Sequence, residues 1–271
     1  MEKPGEPETS VVLIITLLTD FGTADYYVAA MKGVILSRVP DARLVDISHS
    51  IAPQNVLSAA YVMLGSCNEF PVGTVHLAVV DPGVGSTRRG VILRTDRYLF
   101  VGPDNGLFSL AARQSAQAFE IQASSYLPEA ISDTFHGRDI FAPIAAALAC
   151  GAKPEELGRP LLTPQSLPPL AQTSDSGIQS RIIHIDGFGN AVTGIERGHL
   201  GAERLPARFE LRVGDHVVRV QKRFYAEEPS VASEPFAIWG SLNFLEVSVT
   251  DGSAAEALRL SHGQPVTLRF T

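Results

Sequence analysis

Apolar, β-branched runs alternate with helical patterns between Val11 and Gly151, and this alternation most constrains the fold. Strands are predicted at Val11–Leu18, Arg43–Ile47 and Thr74–Val80, and helices at Tyr26–Val39, Gln54–Cys67 and Ile140–Cys150. Strands and helices that alternate in this way form a mainly parallel sheet with helices packed on it. The sequence therefore predicts an α/β N-terminal domain over residues 11–160 with a mostly parallel sheet.

A proline-rich polar stretch then interrupts the pattern. Residues 161–176 contain three prolines among Ser, Thr and Gln and show no periodicity, so they are predicted to be a linker. Beyond it the pattern is β-rich, with a hairpin around Gly214-Asp215 and a last strand at Pro265–Phe270. We predict a smaller all-β, barrel-like C-terminal domain over residues 177–271. Residues 1–10 are predicted to be a disordered tail.

Composition and charge narrow the class of protein. Hydrophobic residues make up 45% of the 271 residues and charged residues 19%, which is typical of a globular chain with a sizeable core. The formal net charge of -7 disfavours nucleic acid as a partner. The apolar run Val11–Leu18 is far shorter than a membrane span, and the acidic start is unlike a secretory signal. We expect no membrane partner and a cytoplasmic location.

The loop that follows the third predicted strand carries the first candidate chemistry. Asp81 ends the buried strand, Pro82 fixes its own φ, and Gly83 and Gly85 permit tight turns with exposed backbone N–H groups. Ligands of open α/β sheets bind at such strand ends. Arg88, seven residues on, can fold back toward the carboxylate. A tight turn with a solvated ion pair is the alternative that the spacing leaves open.

Further polar residues lie at or just after the ends of other elements in the first half. They are Asp20, Asp25, His49 and His136. A parallel sheet would gather them with Asp81 and Arg88 at one edge, where acid–base or water-activating chemistry is possible. Helix N-capping by Asp20 and Asp25 and a structural role for His49 are the alternatives.

Metal and cofactor motifs give little support to other chemistries. His136 and Asp139 are spaced to share a helix face, but the chain has no HExxH motif and no Cys cluster. The glycine loops match neither the dinucleotide nor the Walker pattern. We therefore expect no bound metal and no cofactor.

The second half contributes loops that mix aromatic and polar side chains. Asp186-Gly187-Phe188-Gly189-Asn190 follows a predicted strand, and Phe224-Tyr225 and Trp239 to Glu246 are similar in character. An asparagine can read a base edge while a phenylalanine supplies a flat face. An ordinary turn and barrel core residues are the alternatives.

Seven pieces in order resemble one family. They are Thr19-Asp20-Phe21-Gly22, Val45 to His49, Val80 to Gly85 with Arg88, Pro103 to Leu107, Phe135 to Asp139, Asp186 to Asn190, and Ser241 with Glu246. The family is the S-adenosylmethionine hydrolases (adenosine-forming), or SAM hydroxide adenosyltransferases, relatives of the SAM-dependent fluorinases and chlorinases. The resemblance covers nearly the whole chain after the first residues. It implies hydrolysis of S-adenosyl-L-methionine to adenosine and L-methionine by attack of an activated water on C5′.

The resemblance also implies roles for individual residues. Asp81, Arg88 and His136 correspond to the water-activating triad, and Asp20 to the residue that holds the ribose. The residues assigned to substrate binding are Asp20, Asp186, Phe188, Asn190, Tyr225, Ser241, Glu246, Val249 and Ala254. S-adenosylmethionine is the substrate rather than a cofactor, and the resemblance implies a homotrimer with sites at subunit interfaces. Which triad member holds the proton is left open.

Two other functions remain as alternatives. A halogenase is disfavoured because the related halogenases have an aromatic residue in place of Asp81, whose charge would repel a halide. Fluorinases also carry a serine where Gly137 stands. A non-catalytic adenosine or SAM sensor would need no triad, so the presence of Asp81, Arg88 and His136 favours an enzyme.

Overall fold

The structure is a computed structural model that describes residues 13–113, 116–200, 205, 208–227 and 234–270. The chain divides into two compact units, Met1–Ser166 and Leu167–Thr271. The predicted tail, residues 1–10, lies outside the described residues. The division falls within the predicted linker 161–176, and part of that segment forms a strand, Ala171–Ser174, instead of an unstructured connection.

The first unit is a sheet with helices on both faces. Its elements are β1 (Ile14–Thr19), α1 (Tyr27–Arg38), β2 (Arg43–Ser48), α2 (Val56–Cys67), β3 (Val75–Val79), β4 (Gly90–Arg94), β5 (Leu99–Pro103), β6 (Gln117–Ile121), a π-helical turn (Gly137–Phe141), α3 (Ala142–Ala149), α4 (Pro154–Leu157) and β7 (Gly158–Pro160). The described strands are ordered β2-β1-β3-β5-β4-β6-β7.

The sheet is mixed, so the prediction of a mostly parallel sheet needs correction. β2, β1, β3 and β5 run parallel, whereas β4, β6 and β7 join through antiparallel pairs. β4 and β5 are joined by a short turn in which Thr95 N donates to Tyr98 O at 3.0 Å. Such a turn reverses the chain, whereas a parallel pair requires a long crossover.

Alternate residues of the central strands bury against different helices. Leu17 packs in a core with Met31 of α1 and Ile144 of α3, while Leu18 packs in a second core with Met63 of α2. The two-residue period of a strand explains this division. A sheet covered on both faces presents its loops at its edges, where ligands reach the strand ends.

The parallel register brings two predicted site residues to one edge. Thr19 at the end of β1 pairs with Val79 at the end of β3. Asp20 and Asp81 follow these strands closely, so both leave the sheet at the same side. This arrangement is what the alternating sequence pattern predicted for the first half.

The second unit is β-rich, as predicted. Its elements are β8 (Ala171–Ser174), β9 (Gly177–Ile185), β10 (Ala191–Glu196), β11 (Phe209–Val213), β12 (His216–Val218), β13 (Pro235–Trp239), β14 (Phe244–Val249), α5 (Ala254–Ala257) and β15 (Pro265–Phe270). The described strands follow the order β12-β11-β15-β9-β10-β14-β13, with β8 paired to β9.

The two ends of this sheet nearly meet, which makes it almost barrel-shaped. Just after β12, the backbone reaches Ala237 of β13: Lys222 N donates to Ala237 O at 2.9 Å, and Ala237 N donates to Val220 O at 2.8 Å. Closing a sheet satisfies the unpaired groups of its edge strands. The barrel-like prediction is thus confirmed in outline.

The second unit contains more strands than the sequence predicted. Strand β8 lies in the polar stretch that was predicted to be a linker. Strands β10 and β13 are mainly apolar and buried, and they were not among the predicted strands. Among the residues that the structure describes, no helix combines the length and apolar character that crossing a membrane requires.

Candidate active site

Arg88 joins Asp81 and His136 in the first unit. Its Nη2 atom donates to Asp81 Oδ2 at 2.5 Å and to His136 Nδ1 at 2.8 Å. The Asp81 side chain is 5% exposed and that of Arg88 10%, so the pair is largely shielded from solvent. The three predicted catalytic side chains therefore meet, although His136 is 48 residues from Arg88 in the sequence.

The guanidinium is held from several directions. Its carbon lies 5.3 Å from the centre of the Phe141 ring, and Nη1 donates to the Arg89 carbonyl at 3.0 Å. A cation over an aromatic face is stabilised by the ring quadrupole. The Phe141 ring and the Arg89 carbonyl thus fix the Arg88 guanidinium, which in turn aligns the Asp81 carboxylate and the His136 imidazole.

The hydrogen bonds define the protonation of the histidine. A guanidinium can only donate, so His136 Nδ1 accepts and a neutral ring carries its proton on Nε2. Burial lowers the pKa of His136, and the adjacent Arg88 charge lowers it further. His136 is therefore a neutral donor at physiological pH, because its basic nitrogen is already occupied by Arg88.

Asp81 has the properties of the base. Burial raises the pKa of its carboxyl above the ordinary value, while the Arg88 charge acts in the opposite direction. Its Oδ1 atom is buried and accepts no well-formed hydrogen bond from the described part of the chain, although the nearby Gly83 N–H group also acts to lower the carboxyl pKa. A carboxylate with a raised pKa and one free oxygen is suited to take a proton.

Neighbouring segments fix the loop that carries Asp81. Asn105 Nδ2 donates to Val80 O at 2.8 Å, directly before the carboxylate. Arg89 pairs at 2.7 Å with the buried carboxylate of Asp104. The Asn105 donor and the Asp104 acceptor both come from the turn after β5, so this turn supports the Asp81 loop.

A cavity of about 240 Å³ opens beside the triad. The predicted site residues that line it are Asp20, Asp81 and His136. Gln54 also lines it, and its backbone N–H donates to Asp20 Oδ2 at 2.7 Å. Gln54 was not predicted as a site residue, since a glutamine after a proline gives no sequence signal of a site.

The remaining candidates of the first half do not belong to the triad. His49 is buried and its Nδ1 lies 2.8 Å from Thr19 Oγ1, so the structural alternative is confirmed for its ring. Neither Asp20 nor Asp25 caps α1, whose N-cap residue is Tyr26 without a side-chain bond. Asp139 accepts from Arg138 at 2.6 Å and from Ser132 N at 2.9 Å, which anchors the segment around His136.

The second unit carries its own cavity of about 640 Å³. The predicted binding residues that line it are Asp186, Phe188, Asn190, Tyr225 and Val249. Asp186 organises the loop, because its Oδ1 accepts from Phe188 N and Asn190 N, each at 2.9 Å. Its Oδ2 accepts from Asn190 Nδ2 at 2.9 Å, which leaves the amide oxygen of Asn190 as an acceptor for a ligand.

The other binding residues predicted in the second unit do not line this cavity. Ser241 is exposed on the turn between β13 and β14, and Ala254 is fully buried at the start of α5. Glu246 is buried, and Tyr225 Oη donates to its Oε2 at 3.1 Å. Phe188, by contrast, is 83% exposed, which leaves its ring face open for stacking.

Glu246 and Tyr225 form a hydrogen-bonded pair in which the pKa of each side chain is raised. Burial raises the pKa of Glu246 to about 7, although the Tyr225 hydroxyl acts to lower it. Burial and the Glu246 charge raise the pKa of Tyr225 to about 12. Glu246 is therefore partly protonated near neutral pH and can then donate as well as accept.

Replacing Glu246 by glutamine is expected to remove a pH dependence of stability. The folded-state pKa of about 7 exceeds the ordinary 4.5, so the parent loses stability as the pH rises from about 4.5 to 7. Between pH 5 and pH 8 the variant should gain roughly 2 to 3 kcal/mol relative to the parent. Urea unfolding at both pH values measures this, with Glu256→Gln on the exposed face of α5 as control. Parallel stability curves for parent and Glu246→Gln would contradict the expectation.

Within the described ranges, no group of three or more His, Cys, Asp or Glu side chains is arranged to hold a metal ion.

Comparison with known proteins agrees with the resemblance noted in the sequence. The profile of the SAM hydroxide adenosyltransferase N-terminal domain matches residues 15–158, and that of the C-terminal domain matches residues 180–267. The "(R)-S-adenosyl-L-methionine hydrolase" of Thermus thermophilus is 41% identical over 94% of this chain and 98% of its own length. That of Salinispora arenicola is 37% identical over 92% and 95%.

Structural and more distant relatives complete the comparison. A crystal structure of an uncharacterized conserved protein from Thermotoga maritima superposes with a TM-score of 0.81 and 32% identity, covering 94% of this chain and 99% of that one. The fluorinase of Actinopolyspora mzabensis is 30% identical over 69% of this chain and 73% of its own. Both halves of the sequence match in order and over almost their full extent. The chain therefore belongs to the SAM hydroxide adenosyltransferase family.

Proposed function

We propose that this protein hydrolyses S-adenosyl-L-methionine to adenosine and L-methionine. The observation that carries the proposal is the contact of one Arg88 nitrogen with both Asp81 and His136, beside a cavity that Asp20 also lines. The curated relatives named as (R)-S-adenosyl-L-methionine hydrolases support the same reaction.

The reaction is a displacement at C5′ of the nucleoside. A water oxygen forms a bond to C5′ while the C5′–S bond breaks. The electron pair of the C5′–S bond moves to sulfur, which gives the neutral thioether of methionine. Asp81 Oδ1, the buried acceptor without a partner, takes the proton of the water. His136 donates through Nε2 to orient the oxygen. Holding water and C5′ in line supplies several kcal/mol of the rate enhancement, about what orientation gives in intramolecular reactions.

The chemistry requires no added cofactor. A sulfonium is a good leaving group, so neither an acid nor an electron acceptor is needed to release it, and S-adenosylmethionine is the only small molecule besides water. A halide is a poor alternative nucleophile here, because the Asp81 carboxylate next to the cavity would repel an anion.

The proposal divides the substrate contacts between the two units. Asp20 binds the ribose hydroxyls in the first unit. In the second, Asn190 and the pair of Tyr225 and Glu246 bind adenine and the amino-acid end, with Phe188 stacking on the base. We propose a homotrimer in which one subunit's first unit faces its neighbour's second. The exposed Phe188 ring supports a covering partner. Light scattering that gives a 29.0 kDa monomer with substrate bound would contradict this assembly.

Incubation in ¹⁸O-labelled water tests the reaction directly. The heavy oxygen is expected on the 5′ carbon of adenosine, because the oxygen of the attacking water becomes the 5′-hydroxyl oxygen. Chromatography with mass detection measures both products. Unlabelled adenosine would refute attack by water, whereas intact S-adenosylmethionine with measurable binding would identify a sensor.

The cytoplasmic location stays a prediction from the sequence.

A further inference from the structure

A backbone N–H group, in addition to any ligand, holds the Asp20 carboxylate. Gln54 N donates to Asp20 Oδ2 at 2.7 Å, across thirty-four positions of sequence. Gln54 has a φ of 63°, in the left-handed region that side chains other than glycine rarely adopt. The contact with Asp20 therefore comes from a residue whose backbone conformation is strained.

The strain occurs where the local sequence gives no reason for it. Gln54 is exposed, and glycine or asparagine would adopt the same conformation more easily. Residues in such conformations persist where the surroundings over-determine them and are concentrated at functional sites. Gln54 lines the cavity that Asp20, Asp81 and His136 share. The strained residue therefore lies at the candidate site itself.

The same segment grips the loop around Asp20 at two further points. The His49 carbonyl accepts from Gly22 N at 2.7 Å, two residues after Asp20. The His49 ring lies 2.8 Å from the hydroxyl of Thr19, the residue before Asp20, and both are buried. Residues 49–54 therefore contact the residue before Asp20, the glycine two residues after it, and its own carboxylate.

We propose that Gln54 and His49 are positioning residues that set the Asp20 carboxylate for its ligand. The Gln54 N–H group occupies Asp20 Oδ2, so Asp20 Oδ1 faces a ribose hydroxyl in one orientation. The proposal rests on the ribose role of Asp20 in the proposed function. A contact of this kind acts on substrate and transition state equally, so its loss raises KM and leaves kcat nearly unchanged.

Two substitutions at one position separate the backbone from the side chain. Gln54→Gly removes the side chain but keeps the left-handed conformation and the N–H contact. Gln54→Val, which is β-branched, disfavours the conformation, and its adenosine Kd and KM should both be about tenfold higher than those of Gln54→Gly, or 1.4 kcal/mol. Titration calorimetry measures the first quantity and steady-state kinetics the second.

A double-mutant cycle shows whether the effect passes through Asp20. In an Asp20→Asn background, Gln54→Val should weaken adenosine binding by clearly less than in the parent. The same loss in both backgrounds would overturn the proposal, as would equal affinities for the Gly and Val variants. If Gln54→Val does not fold, Thr19→Val serves instead, because it removes the hydroxyl contact with His49 at nearly constant shape. Thr19→Val should weaken adenosine binding, and Thr19→Ser, which keeps the hydroxyl, should restore the affinity.

A control and the parent protein complete the test. Arg259 has a φ of 53° in the second unit, and Arg259→Gly should change stability in the same direction as Gln54→Gly without any effect on KM. A parent that binds adenosine but leaves S-adenosylmethionine intact would remove the proposed hydrolysis and still test the positioning through Kd. A parent that binds no adenosine would overturn both.

Discussion

Asparagine in place of Asp81 is expected to lower kcat for S-adenosylmethionine hydrolysis by about 10³-fold, within the range that a positioned base contributes. The substitution keeps the size of the side chain and one oxygen for Arg88, but the amide cannot take a proton from water. Affinity for adenosine should stay within about tenfold, because Asp81 acts on the attacking oxygen and not on the nucleoside. Steady-state kinetics and adenosine titration measure the two effects separately.

A matched control isolates the role of this carboxylate. Asp96 is exposed on the turn between β4 and β5, and Asp96→Asn should leave kcat unchanged. Circular dichroism must show that Asp81→Asn is folded, since removing one partner of a buried ion pair costs about 3 to 5 kcal/mol when the other charge is left alone. Loss of turnover and adenosine binding together would mean that Asp81 is structural.

The second large effect is expected from Gly85→Ala. Gly85 has a φ of 76°, and an added Cβ would lie 2.4 Å from the backbone oxygen of Asp133. Both the backbone conformation and this close approach oppose any side chain, so we expect a loss of about 2 to 4 kcal/mol in the free energy of unfolding. Asp133 is three residues before His136. The displaced loop should therefore separate Asp81 from His136 and lower kcat as well.

Gly33→Ala provides the opposite result for the same chemical change. Gly33 lies within α1, and an added Cβ there meets no atom within 4 Å. Alanine in a helix interior is favoured over glycine by up to about 1 kcal/mol, so this variant should be more stable than the parent. Denaturant unfolding of both variants measures the pair. Equal stability of Gly85→Ala and the parent would show that the loop relaxes freely.

The fold of the first unit was predictable where the chain alternates and less so where it does not. β1, α1, β2, α2 and β3 follow the apolar periodicity of their sequences. Beyond β3, only β4 and β5 are joined by a tight turn, whereas β6 pairs with β4 and β7 with β6 across longer stretches of sequence, and local periodicity does not contain such pairings. The antiparallel positions of β6 and β7 are therefore a product of tertiary pairing that the sequence pattern could not reveal.

The candidate site shows a similar division. Asp81 and Arg88 share a loop and could be connected from their spacing. The predicted sheet grouped His136 with them only as one of several polar residues, and the resemblance to a family assigned it to the triad. The roles of Asn105 and Gln54 were not predictable, because each acts through a single hydrogen bond fixed by backbone geometry. Sequence motifs indicate which side chains react, but the contacts that orient them depend on the folded backbone.

One nitrogen of Arg88 serves both Asp81 and His136, and this sharing limits how the site can diverge. Any shift of the guanidinium alters the basicity of the carboxylate and the tautomer of the imidazole at the same moment. A descendant enzyme that adopted a different nucleophile would have to change all three positions in concert, since each intermediate with one altered member would lose the old activity before acquiring a new one.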